Sequence, residues 1–342
     1  MNIEIKIALC FLFLWLAVNI GLYLFSKFIF KRIFIFQIGL LFSFFIVETV
    51  ISKLENNSSS ISHVFDGGLY RVDYFFGHVP VAKSSVNHTV YYEDSITCEY
   101  NYTLDQHGYR SNRQFSKDKS YDLGIFGQKE VFGLGLHIDS TITECIVRSN
   151  PAVLAQNRAY IHQDLNYFLA IMDSLKPYLA HKRIYYFISK SALEAINYSF
   201  DYINQRGAKA PYYQIQSRSH SIIRRSNGLE GNSVRVGLSI LLGRSYLINK
   251  IGLDWEGQKE KYDKLLIAMN YAIEKSNGSL CFVFIDEKNS KWKQSDLAMI
   301  KSQIKPSNYL DCTSIDFYRD KAKFAKLCAI AVLKNFQKHS NK

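Results

Sequence analysis

The chain has 342 residues, of which 48% are hydrophobic and 15% aromatic, and a formal net charge of +12. That length and apolar content allow a packed domain plus accessory segments and exclude a globally disordered chain. The basic balance suits an anionic lipid or acidic glycan, or else a plain lysine-rich solvated surface; beside the apolar N-terminal stretches, nucleic acid is not expected as a partner.

Residues Ile7 to Phe25 and Ile33 to Ile51 are nearly uncharged, and each approaches the roughly 20 apolar residues that cross a bilayer. A cleaved signal peptide is the rival for the first stretch, but a strongly basic start and a small-residue cleavage site are missing, and a second apolar stretch follows at once. The sequence therefore predicts a two-helix transmembrane anchor over residues 1–53. Lys27, Lys31 and Arg32 between the spans place the short loop in the cytoplasm. Both termini then lie outside, as expected for a two-pass protein of a bacterial inner membrane with its main domain in the periplasm and the lipid bilayer as first partner.

Residues 54–120 form a linker and a β-rich lead-in. The linker is the polar stretch Glu55 to Ser62; Val64 to Arg113 alternates polar residues with Tyr, Val and Thr, as strands do. Inside it, "YNYTLDQHGYRSN" predicts a strand, a turn at Gln106-His107-Gly108, then Tyr109 and Arg110. From Tyr121 the pattern becomes strand and helix in alternation. Strands are predicted at Leu123–Phe126, Ala152–Ala155, Arg183–Ile188, Ser279–Ile285 and Asn308–Asp311. Helices are predicted at Thr141–Arg148, Gln163–Leu179, Gln258–Ser276, Lys293–Gln303 and Asp320–Lys338. Short apolar strands between amphipathic helices imply a mostly parallel sheet covered on both faces, a three-layer α/β/α sandwich over 121–342. Residues 208–257 interrupt this rhythm with Arg218, Arg224 and Arg225 beside Tyr212 and Tyr213. They read as a basic insertion near the carboxyl ends of the strands, where open α/β sheets bind ligands.

The chemistry-bearing types are scattered. Six cysteines form no CxxC pair, so they are either disulfide partners of unknown pairing or buried thiols. No pair of histidines brackets a glutamate at helical spacing, so no metal is implied. Gly127, Gly133 and Gly135 suggest a phosphate loop only superficially, since Lys129 precedes the glycines and no GK[ST] follows. No cofactor is implied. Asp139, Ser140 and Thr141 near His137 read as a helix N-cap cluster.

The segment "YDLGIFGQKEVFGLGL", Tyr121 to Leu136, resembles the first block of the SGNH (GDSL-type) hydrolases, "hhGDSxxxGxGh", and the Tyr100 to Asn112 segment resembles the "YTxDxxGxR" lead-in that precedes it in many membrane-linked relatives. The resemblance covers roughly residues 66–336 and implies the same sandwich. In that family a serine attacks, a glycine and an asparagine complete the oxyanion hole, and a histidine oriented by an aspartate is the base, the general logic of nucleophile, base and orienter. Here Gln128-Lys129 stands at the Asp-Ser positions. Ala159 replaces the oxyanion glycine, while Tyr160 and Gln163 fit the second block. Ser189, Lys190 and Ser191 occupy the neighbourhood of the missing asparagine. Asp316 fits the fourth-block aspartate, but Tyr318 or Arg319 stands at the base histidine, and neither takes a proton near neutral pH.

With all four catalytic positions altered, the resemblance implies a catalytically inactive, membrane-anchored domain that binds a cell-envelope glycan, a lipid or a membrane-protein partner. His137, His162, Arg218, Arg224 and Arg225 are the candidate binding residues. The alternative is an active esterase or O-acyltransferase on envelope polysaccharide, using relocated groups among Lys129, His137, His162 and Asp316.

Overall fold

A computed structural model describes residues 19–20, 23–24, 31–39, 43, 46, 61–73, 77–92, 95–111, 120–161, 163–174, 181–197, 212–216, 221–225, 258–287, 291–316 and 319–340. The chain divides into two units: Met1–Ser60, Ser199–Ala208 and Leu229–Trp255 form one, and Ile61–Tyr198, Lys209–Gly228 and Glu256–Lys342 the other.

The first unit corrects the predicted anchor. Among the described residues no helix is long and apolar enough to cross a membrane. The described helical residues there include 31–39, with Lys31 and Arg32 among them. The remainder of the two stretches lies outside the described residues, apart from helical positions 19, 20, 23, 24, 43 and 46.

The second unit begins with short antiparallel strands. These are β1 (Ile61–Asp66), β2 (Tyr70–Asp73), β3 (Gly77–Pro80), β4 (Ser85–Tyr92) and β5 (Ser95–Thr103). Three of them form a sheet in the order β1-β4-β5, and β2 pairs with β3. Register places His63 opposite Val90, Phe65 opposite His88, and His88 opposite Tyr100. One face therefore carries a ladder of rings: Phe65 stacks on His88 with centroids 4.4 Å apart, and Tyr102 meets Phe132 edge-on at 5.4 Å.

Strand β6 (Tyr121–Phe126) starts the α/β part, followed by a short helix α1 (Lys129–Phe132), a 3-10 turn at Ile138–Ser140, α2 (Ile142–Ser149), β7 (Ala155–Asn157), α3 (Leu165–Ser174) and β8 (His181–Ile188). Then come α4 (Ala192–Asn197), the hairpin of β9 (Tyr212–Gln216) and β10 (Ser221–Arg225), α5 (Gln258–Lys275), β11 (Leu280–Phe284), α6 (Gln294–Ser302), β12 (Tyr309–Asp311) and α7 (Lys321–Ser340). Five strands form a parallel sheet in the order β12-β11-β8-β6-β7. The α/β expectation thus holds for this unit.

Alternate strand residues feed two separate cores, which explains why these strands are apolar throughout. Phe126, Tyr186, Phe282 and Phe284 pack under α3, α4, α5 and α6. Ile125, Tyr185, Phe187, Cys281 and Val283 pack under α2 and α7, and the lead-in adds Val86, Tyr102 and Leu104 to this second core. The chain runs one way from β6 to β7 and the opposite way from β7 through β8 and β11 to β12. Right-handed crossovers in opposite directions put their helices on opposite faces, as α2 and α3 are. The reversal at β6 makes the carboxyl ends of β6 and β8 the switch point of the sheet.

Candidate functional site: the carboxyl rim of the sheet

Strand β6 ends at Gly127, whose φ is +151°. An added Cβ there would lie 2.6 Å from Val131 Cγ2 and 3.1 Å from Phe187 Cβ, so only glycine fits. Its N–H donates to Gln163 Oε1 at 2.7 Å. Gln163 Nε2 donates in turn to the Arg158 carbonyl at 3.0 Å, and Tyr160 N donates to the Gly127 carbonyl at 3.1 Å. The buried Gln163 amide therefore ties the end of β6 to the loop after β7. Ala159 is buried, and its N–H donates to Asn157 Oδ1 at 3.0 Å. The amide hydrogens of Gly127 and Ala159 are thus both occupied by side-chain amides of this chain.

Lys129 opens α1 with its side chain 45% exposed and its Nζ 3.9 Å from Glu130 Oε1. An exposed, ion-paired lysine lacks the burial that activates a lysine as a nucleophile. Glu130 itself is buried. After α1 the chain turns through Gly133 and Gly135, both with positive φ. Arg110 holds this loop from beneath. It is 1% exposed, and its guanidinium donates to the carbonyls of Gly133 and Leu136, both at 2.5 Å, and lies 4.4 Å from the Tyr102 ring centroid. Burial lowers its pKa to about 10, which still leaves it charged. The turn that delivers it is built by Asp105, whose Oδ1 accepts from His107 N and Tyr109 N at 2.8 and 2.9 Å. This gives the lead-in motif a physical meaning: its aspartate shapes the turn and its arginine clamps the glycine loop.

Three further features line the rim. Gly135 N–H donates to Tyr102 Oη at 2.9 Å, Tyr102 Oη lies 2.6 Å from His88 Nδ1, and His88 Nε2 lies 2.9 Å from His63 Nδ1. On the other side of the loop, Lys321 at the start of α7 donates to the Leu134 carbonyl at 3.1 Å. At the ends of β8 and β11, Ser189 and Ser191 both donate to Glu287 Oε1, Ser191 at 3.0 Å, with their hydroxyl oxygens 2.8 Å apart. Lysine, histidine and the Ser-Glu pair are thus legible only in three dimensions. Lys321, His63, His88 and Glu287 carry no motif in the sequence, and only their distance from the glycines along the chain hid them.

The predicted site residues divide accordingly. His137 is exposed and its ring sits 5.9 Å from Tyr100, beside the same loop. Asp316 is exposed and accepts from Arg319 N at 3.3 Å, so it orients its own turn. Arg224 and Arg225 lie on β10, opposite Tyr213 and Tyr212, in a hairpin that packs through Tyr213 against Asp173 of α3. His162, Arg218 and Tyr318 lie outside the described residues. Thr141 caps α2, accepting from Glu144 N at 3.4 Å, as the N-cap cluster predicted. Among the described residues no group of three or more His, Cys, Asp or Glu is placed to hold a metal ion, and Cys98, Cys145, Cys281, Cys312 and Cys328 are free thiols.

No protein family, no curated protein and no solved structure matches this chain.

Proposed function

We propose that this chain is a non-hydrolytic member of the SGNH-like architecture that binds an acidic glycan at the carboxyl rim of its sheet. One observation carries the reading: the backbone donors of Gly127 and Ala159 are consumed by Gln163 and Asn157. An acyl-transfer site needs free donors aimed at the developing oxyanion. A lysine at the nucleophile position, exposed and paired with Glu130, supports the same conclusion. The strand order 2-1-3-4-5, counted along the sheet strands, and the arginine clamp under the glycine loop support the architecture. The test is twofold. Full-length protein should turn over p-nitrophenyl acetate no faster than buffer, and should bind an acidic oligosaccharide on an array. Enzyme-dependent turnover abolished by a rim substitution would overturn the reading.

A second reading, an ester hydrolase or O-acyltransferase with relocated groups, is favoured by one feature. Ser189 and Ser191 donate to a carboxylate, Glu287, at the edge of the sheet, and a serine hydrogen-bonded to a base is the elementary unit of acyl transfer. A fluorophosphonate probe distinguishes the two readings. A covalent adduct on Ser189 or Ser191 would replace the first with the second.

A further inference from the structure

The last helix, α7, presents lysines on its outward side and holds no acid within its length. No Asp or Glu occurs from Lys321 to Lys342. Lys323, Lys326, Lys334 and Lys338 are exposed. At about 100° per residue these four fall within an arc of about 120°. Leu327, 38% exposed, and the half-buried Ile330 lie inside the same arc. Neither belongs to a core of the sheet. The opposite side of the helix does that work, through Phe324, Cys328 and Val332. Tyr185 Oη donates to Asn335 Oδ1 at 2.9 Å and helps to fix the helix in rotation. The outward arc is therefore a preformed face about 30 Å long.

Helix stability does not call for this pattern. A positive charge in the first turn opposes the helix dipole, and Lys323 stands there. Lys323 with Lys326, and Lys334 with Lys338, are like-charge neighbours at i,i+3 and i,i+4, which repel. Only Lys338, in the last turn, complements the dipole. The other long outer helix, α5, mixes Glu260, Asp263 and Glu274 with its lysines, and Lys264 Nζ lies 3.7 Å from Glu260 Oε1. The neighbours of α7 do not offset its charge. Asp320 caps the helix by accepting from Lys323 N at 2.9 Å. The 3-10 turn and α2, which pack beside it, bring Asp139 and Glu144, but also Arg148, whose Nη2 lies 3.7 Å from Asp139 Oδ1.

We propose that this face of α7 docks on an anionic lipid surface, with the four ammonium groups among the headgroups and Leu327 and Ile330 entering the acyl boundary. Charge complementarity supplies the attraction, roughly fivefold in affinity for each lysine near a negative membrane. The lysine stems lie along the apolar centre while their heads reach the phosphates. The two aliphatic side chains add what only a lipid rewards. A nucleic acid or a sulfated sugar is held by aromatic stacking or by bidentate guanidinium contacts, and the arc carries neither an aromatic residue nor an arginine. The surface is separate from glycan binding at the rim, because Lys321, which donates to the Leu134 carbonyl of the glycine loop, lies outside the arc.

Acetylation of lysines in the full-length protein, read residue by residue by mass spectrometry, tests the surface directly. Vesicles of phosphatidylglycerol and phosphatidylcholine should slow labelling of Lys323, Lys326, Lys334 and Lys338 roughly threefold or more. Lys259, exposed on α5, should label as before. Pure phosphatidylcholine vesicles should protect none of the four, and salt at about 0.5 M should remove the protection. Titrating the anionic vesicles gives an affinity. Lys326→Gln with Lys334→Gln should weaken it about 25-fold, read on the two remaining lysines. Leu327→Gln should weaken it about fivefold. Because the lysines repel one another, the double variant should melt no lower than the parent; a lower midpoint would make them structural and overturn the proposal. No protection by anionic vesicles, equal protection by neutral ones, stronger protection by duplex DNA or a sulfated oligosaccharide, or an unchanged affinity in Leu327→Gln would each overturn it as well. Failure to bind an acidic oligosaccharide on the array would instead overturn the reading of the rim and leave this outcome intact.

Discussion

Acid should unfold this protein through His181 in particular. His181 begins β8, is 8% exposed, and its ring lies between Tyr121 and Phe126 at 6.0 and 6.3 Å. Nε2 donates to Gln156 Oε1 at 2.9 Å, an oxygen that also accepts from Arg158 Nε at 2.7 Å. Nδ1 is buried without a hydrogen-bond partner. A second proton would therefore enter an apolar pocket beside a guanidinium. Burial, and then Arg158, push the pKa down to about 3. The sign follows directly. The fold favours the neutral ring, so its contribution is complete above the unfolded pKa of about 6.5 and is lost as pH falls from there toward the folded value. Between pH 7 and pH 5 the unfolded ring gains its proton and the folded ring does not, which costs about 2 kcal/mol of stability. That figure depends only on the folded pKa lying well below 5. Denaturant titrations of the full-length protein and of His181→Phe at both pH values measure it. The parent should lose about 2 kcal/mol more than the variant. Equal losses in the two proteins would refute the argument.

Other expectations follow from the rim and its supports. Gly127→Ala must either push Val131 and Phe187 aside or move the β6 turn. Strain at that backbone conformation together with overpacking should cost roughly 2–5 kcal/mol in a denaturation midpoint series. Arg110→Met removes the clamp on the Gly133 and Leu136 carbonyls, and loss of a buried charged donor should cost about 3 kcal/mol or more. Arg110→Lys should rescue little of it, because a point ammonium cannot reach both carbonyls as a planar fork does. Trypsin cleavage near the glycine loop should accelerate in both Arg110 variants.

The α/β part was legible because its signals are local. Apolar runs bounded by glycine, such as Leu123 to Phe126 before Gly127, fix strands whatever surrounds them. Amphipathic stretches such as Gln258 to Ser276 fix helices, and α5 ends within one residue of that expectation. Strand β7 moved: the predicted Ala152–Ala155 became Ala155–Asn157, because Asn150 Oδ1 accepts from Ala152 N and holds that stretch in a turn. Alternation of Gln156 and Asn157 gave no apolar signal, since both side chains are spent on hydrogen bonds inside the sheet edge. The predicted anchor failed for another reason. Hydropathy counts residues, whereas a span requires one continuous apolar helix, and no helix of that kind is present among the described residues. At the site, Lys129 and His137 were within reach of sequence reasoning because they flank the glycines. His63 and Lys321 were not, since they lie 66 residues before and 192 residues after Lys129 in the numbering and reach the glycine loop only through the lead-in sheet and α7.

The same residues argue for how a rim of this shape is stabilised without substrate chemistry. A backbone N–H aimed at an oxyanion position is an unpaired donor whenever no anion is bound, and a buried unpaired donor costs roughly 1–3 kcal/mol. An enzyme tolerates that cost because the transition state repays it. This chain removes it, with Asn157 covering Ala159 N–H and Gln163 covering Gly127 N–H. Asn157→Ala should therefore destabilise by roughly 1–3 kcal/mol. Asn157→Asp, which keeps an acceptor in place, should keep the Ala159 amide as protected from hydrogen exchange as in the parent. If instead Asn157→Ala left both stability and Ala159 exchange unchanged, the amide would not be the group that closes the position. The case against hydrolysis would then rest on Gln163 at Gly127 and on Lys129.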